Sequence, residues 1–287
     1  MYYYICQLVR ILPNQGTFHK VLLGLIITKY EKHVEAIFPQ TLFTGRQVVS
    51  LPECTSTNSE AQALVGRNRA TDGCVVITDK QTAGRGQRGN GWEAAPGQNL
   101  TLSVVWRPTF LPAPNQFVLS QAVALAVHDW ANALLGPNPT LRVKWPNDIF
   151  FGDQKLGGIL IENTLSGTMI QHSVVGLGIN VNQREFHTAT ATSLASLTGQ
   201  TYALPILATR LLECLEHRYL QLRAGCSAVI RHDYQHVLYR LQQPHPYEVN
   251  GCRVMGLIVD VDQTGRLAVA IDNQLRHFDL KEIRYVF

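Results

Sequence analysis

The stretch LRVKWPNDIFFGDQKLGGILIENTLSGTMIQHSVV, residues 141–175, decides how this chain folds. It contains four short runs, Leu141–Trp145, Ile149–Phe151, Leu156–Ile161 and Met169–Val175. The turn signals Pro146-Asn147-Asp148, Gly152-Asp153 and Ser166-Gly167 separate them. Short apolar, β-branched runs punctuated by Gly, Pro, Asn and Asp read as strands. Upstream, Val48–Leu51, Cys74–Thr78 and Asn99–Trp106 read the same way. Ser56-Thr57-Asn58 offers N-cap residues for a helix over Ser59–Val65. Phe117–Leu135 is a long helix rich in Ala and Leu, ended by Gly136-Pro137. Pro205 opens another, with Leu207, Leu211, Leu215 and Leu222 near i, i+4 spacing, and a shorter helix covers Ala228–Tyr239. Pro244-His245-Pro246 reads as a boundary. Beyond it Arg253–Val261, Leu267–Ile271 and Leu275–Leu280 form a meander suited to a small barrel. The chain thus divides into a poorly patterned extension over 1–42, a mixed α/β domain over 43–243, and a small β-domain over 244–287.

Composition narrows the class. The 287 residues are 46% hydrophobic and 16% charged, which supports a packed core rather than disorder. A net charge of +4 admits an anionic ligand but lacks the basic excess of a nucleic-acid binder. The six cysteines, Cys6, Cys54, Cys74, Cys214, Cys226 and Cys252, show no C-x-x-C spacing and read as reduced thiols in a cytoplasmic protein. The apolar run Val21–Ile27 is far shorter than the roughly 20 residues that span a bilayer, so no membrane role is expected. Residues 1–40 are too short for a winged helix-turn-helix, so no DNA binding is expected either.

Three motifs carry chemistry. Gly84-Arg85-Gly86-Gln87-Arg88-Gly89-Asn90-Gly91-Trp92 combines four glycines with two arginines. Such a loop can cradle an anion with freed backbone N–H groups and planar guanidinium donors. The competing reading is a surface hairpin with solvated arginines. In Lys144-Trp145-Pro146-Asn147-Asp148 the proline removes a ladder donor, so Lys144 ends a strand and Asn147-Asp148 turn. Asp148 can hold a metal, a ribose hydroxyl or a lysine; a plain Asx turn is the alternative. Lys155 precedes Gly157-Gly158, glycines that mark close approach of a ligand or another backbone. A lysine there can meet a phosphate and a carboxylate together. Gly176-Leu177-Gly178-Ile179-Asn180-Val181-Asn182, taken alone, reads as a tight turn. The ten histidines form no metal pair on a helix and no Ser/His/Asp set. The tryptophans read as core or pocket wall.

Taken in order, Ser56-Thr57-Asn58, Gln81, the Gly84–Trp92 loop, Lys144–Asp148, Lys155-x-Gly-Gly-Ile-Leu and Gly176-x-Gly-Ile-Asn-x-Asn resemble the biotin–protein ligase family. The resemblance spans about residues 43–287. It implies a central α/β (α+β) domain on a mixed sheet with flanking helices, followed by a small SH3-like β-barrel. It implies a reaction in which biotin and ATP give biotinyl-5′-AMP and pyrophosphate, with Mg²⁺ accompanying the nucleotide, placed near Asp148. A lysine of a biotin carboxyl carrier protein or domain of acetyl-CoA carboxylase, or a related carboxylase, then takes the biotin. By the same resemblance Ser56, Thr57, Asn58, Gln81, Arg85, Gly86, Gln87, Lys155, Gly157 and Gly158 line the biotin site. Arg85, Arg88, Asn90, Trp92, Lys144, Asn147, Asp148, Lys155 and Asn180 form the nucleotide side, and Lys155 and Arg85 act in catalysis. Many members carry arginine where this chain has Gln87 and Asn90. Monomer and homodimer both remain open, as do a lipoate or octanoate ligase and a non-catalytic biotin-binding regulator.

Overall fold

Alternation along one strand organises the molecule. In β3 (Leu100–Trp106) the even-numbered Leu100, Leu102 and Val104 join the main apolar core, while Thr101, Ser103 and Val105 face the other way. Side chains of a strand point to opposite faces in turn. The structure, a computed structural model, describes residues 37–287; the extension expected over 1–42, the apolar run at 21–27 and the question of a winged helix there fall wholly or mainly outside them. No helix among the described residues is long and apolar enough to cross a membrane.

The remaining elements are β1 (Val48–Cys54), α1 (Thr57–Gly66), β2 (Cys74–Gln81), α2 (Phe117–Leu135), β4 (Leu141–Lys144), β5 (Asp148–Phe151), β6 (Gln154–Ser166), β7 (Met169–Ile179), α3 (Leu194–Thr198), α4 (Leu204–Arg223) and α5 (Ser227–His236). The C-terminal part adds β8 (Pro244–Val249), β9 (Cys252–Val261), β10 (Leu267–Ile271), β11 (Gln274–Phe278) and β12 (Ile283–Tyr285). The large sheet runs β1-β2-β3-β7-β6-β5-β4, with β1 and β2 parallel and the other pairs antiparallel, so it is mixed as expected. The small sheet runs β11-β10-β9-β8-β12 and is antiparallel. One core cluster takes in residues of both sheets, and Ile37–Phe287 is one compact unit.

On one face of the large sheet lies α2, whose Val118, Leu119, Ala122, Val123 and Ala126 are buried. The indole Nε1 of Trp130 donates to the Leu207 carbonyl at 3.1 Å, tying α2 to α4. Arg218 on α4 reaches Asp129 at 2.8 Å and Asp233 at 2.7 Å, so one guanidinium joins α2, α4 and α5. The other face receives α1 over Cys74, Val76, Val105 and Val174.

Four readings need correction. Ser56 is the N-cap of α1, but its side chain caps nothing; the helix begins at Thr57, and buried Thr57 and Asn58 turn to the sheet instead. Tertiary hydrogen bonds outcompete a local cap there. The run Leu141–Trp145 is one residue too long as a strand: β4 stops at Lys144, as the ladder donor missing at Pro146 requires. Gly176 and Gly178 form no turn: they sit inside β7, paired with Ser103 and Thr101 of β3 and with Leu160 and Gly158 of β6. Pro244-His245-Pro246 is not merely a boundary but the start of β8. The register with β12 covers Tyr247–Val249 and ends with the Val286 N–H donating to the Pro246 carbonyl at 3.3 Å, so the two prolines occupy the end of the strand, where a missing N–H costs little.

Two polar devices hold the frame. The buried carboxylate of Glu216 accepts the backbone N–H groups of Leu42, Phe43 (3.0 Å) and Thr44 (2.8 Å), fixing the chain as it enters β1. In the turn after β9, Asp262 accepts from the Thr264 N–H and hydroxyl and from the Arg266 N–H and Nε, all at 2.6–3.0 Å. This turn sets Gly265, at φ 95°, against the Phe117 ring. Trp145 donates to the Gly265 carbonyl at 2.8 Å, so the small sheet is hooked to the end of β4.

Replacing Glu216 by Ala strands three backbone N–H donors, the Thr44 one buried, and is expected to lower the unfolding free energy by about 2–3 kcal/mol in urea titration. For Asp262, burial raises the carboxyl pKa, but the Thr264 and Arg266 donors outweigh it and hold the pKa at about 2. A depressed carboxylate stabilises the fold above its unfolded value, and that stability disappears as pH falls through the folded one. Asp262→Asn should therefore cost about 1–2 kcal/mol at neutral pH, with wild type and variant converging between roughly pH 4 and pH 2.

Candidate active site

A cavity of about 380 Å³ opens where β2, β3, β6 and β7 meet the Gly84–Trp92 loop and the final segment of the small sheet. Its floor is set by the two-residue period of β7. Val175, Leu177 and Ile179 go to the core, so Gly176 and Gly178 face the cavity. Their lack of side chains is required. A Cβ on Gly176 would overlap the Asn58 amide, and one on Gly178 would overlap the Trp92 indole.

One end of the cavity presents mainly uncharged polar side chains, with the Glu162–Arg85 ion pair at its edge. Thr57 N–H donates to Gln81 Oε1 at 2.8 Å. The Ser103 hydroxyl lies 2.7 Å from Thr57 Oγ1 and 2.6 Å from Asn58 Oδ1. Asn58 Nδ2 donates to Glu162 Oε2 at 2.7 Å and to the Leu160 carbonyl at 3.3 Å. Ser56 also lines this end.

The other end is charged. Lys155 Nζ lies 2.6 Å from Asp148 Oδ1, and Lys144 Nζ lies 4.0 Å from Oδ2 of the same carboxylate. Lys144 sits over the rings of Phe150 (5.0 Å) and Tyr285 (4.5 Å), its ammonium enclosed between the two sheets. Burial pulls its pKa below the usual lysine value and the Lys155 and Arg240 charges push the same way, while Asp148 opposes them. Lys155 lies 5.6 Å from the centre of the Trp92 ring. The glycine–arginine loop is closed on itself. Gly86 N–H donates to the Asn90 carbonyl at 2.7 Å and Trp92 N–H to the Gly84 carbonyl at 3.0 Å, with Gly89 at φ 86°. The hairpin reading was thus correct in form, but the loop borders the cavity. Arg85 pairs with Glu162 at 3.2 Å.

Most of the expected residues converge here: Ser56, Thr57, Asn58, Gln81, Arg85, Gly86, Gln87, Asn90, Trp92, Lys144, Asn147, Asp148, Lys155 and Gly158 all border the cavity. The Asn147 amide already donates to the Ile159 carbonyl at 2.6 Å. Three residues differ. Gly157 lies beneath, its missing side chain leaving room for the Gly178 carbonyl. Asn180 is buried behind Lys155, donating to the Thr192 carbonyl at 2.9 Å and the Lys155 carbonyl at 3.5 Å, so its side chain braces Lys155 rather than bordering the cavity. Arg88 sits in the loop's single 3₁₀ turn, and its side chain is outside what is described. Among the described residues no three His, Cys, Asp or Glu side chains gather as a metal cluster, and Asp148 is engaged by two lysines. One carboxylate does fit a magnesium ion that arrives already bound to phosphates, since Mg²⁺ takes few protein ligands in such sites.

Sequence reasoning missed Ser103, Glu162 and the segment Leu280–Phe287, which supplies Tyr285 and Phe287 to the far wall. Polar Thr101 and Ser103 interrupting one face of an otherwise apolar strand were a readable signal for the first. Nothing local marks the last segment, which reaches the cavity through tertiary packing alone.

A model of the biotin/lipoate A/B protein ligase family matches residues 51–180. The biotin–[acetyl-CoA-carboxylase] ligase of Mycobacterium tuberculosis is 34% identical over 229 residues, covering 79% of this chain and 84% of that protein. The bifunctional ligase/repressor BirA of Escherichia coli is 37% identical over 140 residues, 49% of this chain and 42% of that one. A biotin protein ligase from Aquifex aeolicus, solved in complex with biotin and ATP, superposes with a TM-score of 0.70 at 22% identity, covering 84% of this chain and all of that one, and so shares the fold.

Adding one methyl to the cavity floor tests this geometry. Gly178→Ala is expected to displace the Trp92 indole and shift tryptophan emission, and the shift should vanish in a Trp92→Phe background.

Proposed function

The chain belongs to the biotin/lipoate A/B protein ligase family, on its biotin–protein ligase side, and from that premise we propose a two-step ligation in this cavity. In the first step a carboxylate oxygen of biotin attacks the α-phosphorus of ATP. The bond to the β-phosphate oxygen breaks, pyrophosphate leaves, and biotinyl-5′-AMP forms. In the second a lysine amine of a biotin carboxyl carrier protein or domain attacks the acyl carbon, AMP leaves, and an amide remains.

The observation that carries this reading is one cavity with a mainly uncharged polar end joined to a lysine–aspartate cluster. A carboxylate and a polyphosphate repel, so their approach requires fixed positive charge between them. Lys155, at the junction of the two ends, meets the biotin carboxylate and the α-phosphate, and Arg85 adds charge from the loop. Asp148 keeps the Lys155 ammonium oriented and takes part in holding Mg²⁺ when the nucleotide brings it; that ion supplies further neutralisation of the phosphates. Lys144, Asn147 and Trp92 border the nucleotide. Ser56, Thr57, Asn58 and Gln81 hold the biotin ring. No side-chain nucleophile is needed, because holding the reactants in line supplies the remaining rate gain. The loop keeps water from the anhydride. The polar wiring around Thr57, Asn58 and Ser103 favours a ring rich in hydrogen-bonding groups over the apolar dithiolane of lipoate or an octanoyl chain.

Lys155→Ala is expected to reduce adenylate formation from biotin and [α-³²P]ATP by about a thousandfold or more with the melting temperature nearly unchanged. Pyrophosphate release near the wild-type rate would refute the assignment. Adenylate formed with lipoate or octanoate in place of biotin would move the substrate.

A further inference from the structure

The hydrogen-bond chain at the polar end contains more oxygen contacts than hydroxyl protons. Three contacts link side-chain oxygens: Ser103 Oγ to Asn58 Oδ1 at 2.6 Å, Ser103 Oγ to Thr57 Oγ1 at 2.7 Å, and Thr57 Oγ1 to Gln81 Oε1 at 3.3 Å. Ser103 and Thr57 have one hydroxyl proton each. Which contact goes without a proton is decidable from the surroundings.

The Asn58 amide is the fixed point. Two of its neighbours are acceptors, the Leu160 carbonyl and the Glu162 carboxylate oxygen that also pairs with the Arg85 guanidinium. Asn58 Nδ2 must face them, so Oδ1 faces Ser103. Ser103 must then donate to Oδ1 and cannot also donate to Thr57. The 2.7 Å contact therefore takes its proton from Thr57. The reverse assignment, with Thr57 donating to Gln81, would leave two oxygens at 2.6–2.7 Å with no proton between them and would favour the longest contact over the shortest. Gln81 is also fixed: its Oε1 receives the Thr57 N–H, which leaves its Nε2 for the cavity.

Thr57 and Gln81 both border the cavity, and their polarity toward a ligand follows. The Thr57 proton points at Ser103, so Thr57 meets a ligand as an acceptor. Gln81 meets it as a donor. Ser103, fully buried on β3 opposite Gly176, imposes this polarity without bordering the cavity itself.

We propose that Ser103, with Glu162 locking the Asn58 amide, is a specificity-determining positioning residue that turns Thr57 into an acceptor for a ring N–H of the substrate. The inference rests on the biotin reading above and deepens it: the pocket is wired to read a cyclic urea, which offers N–H donors and a C=O acceptor. In Ser103→Ala the Thr57 hydroxyl is no longer fixed as a donor to Ser103 and is free to rotate, so it can donate to a ligand oxygen as well as accept from a ligand N–H, and the demand for an N–H is relaxed.

The test is equilibrium binding without ATP, by calorimetry, of biotin and of the two cyclic carbamates in which one or other ring N–H is replaced by oxygen. Wild type should prefer biotin over one carbamate by about a hundredfold or more, because a site built for an N–H rejects an analogue lacking it. In Ser103→Ala that ratio should fall to about tenfold or less, with biotin bound more weakly. A residue that only supported the fold would weaken both ligands together and leave the ratio unchanged, and an unchanged ratio overturns the proposal. Ser103→Cys keeps the shape with a weaker donor and should give an intermediate ratio, which covers the case in which the alanine variant does not fold. If wild type binds biotin without discriminating, the wiring is wrong and the ligase reading stands. If wild type binds no biotin at all, both fall.

Discussion

The pairing of β3 with β7 is the constraint on which the rest depends. Each strand has one face that must be apolar to pack beneath α2 and one face turned away from it. On β3 the second face is Thr101, Ser103 and Val105; on β7 it is Val174, Gly176 and Gly178. Apolar burial at roughly 25 cal/mol per Å² secures the first face and thereby fixes the register of the second. A slip of one residue would exchange glycine for Leu177 at the floor and close the cavity. The placement of Asn58 and Trp92 against the two glycines is thus a consequence of core packing on the opposite side of the sheet.

Electrostatics follow from the same frame. Lys155 and Asp148 come from antiparallel neighbours, β6 and β5, whose register brings them within 2.6 Å. The Asn180 amide holds the Lys155 backbone from behind. Lys144 depends on both sheets, since Phe150 belongs to β5 and Tyr285 to β12. An ammonium over two aromatic faces is partly compensated for lost hydration by their electron density. The small sheet therefore shapes the electrostatic environment of the charged end as well as its outline.

How much of this was legible varies by element. Phe117–Leu135 was readable to the residue because length, composition and a terminal glycine agree. The convergence of Lys144, Asp148 and Lys155 was readable because a proline and paired glycines disturb strands for a reason. The turn assigned to Gly176–Asn182 failed because glycine signals either a bend or a close approach, and only the partner strands distinguish them. Thr101 and Ser103 marked one face of β3 as polar, but which partner Ser103 serves emerges only once Asn58 is seen to reach it across the space left by Gly176. For Asn180 the sequence offered only the role implied by the resemblance; its bonds to the Lys155 and Thr192 carbonyls depend on tertiary packing that no local pattern shows.

The hook between Trp145 and Gly265 has a consequence for traffic. The seam between the two sheets is closed by that bond, by the Phe117 contact and by a core common to both, so the far wall of the cavity is fastened to the large sheet at several points. The Gly84–Trp92 loop on the opposite side meets the rest through the Arg85–Glu162 ion pair and an indole resting on bare glycines, so ligand exchange would break fewer ties there than at the seam.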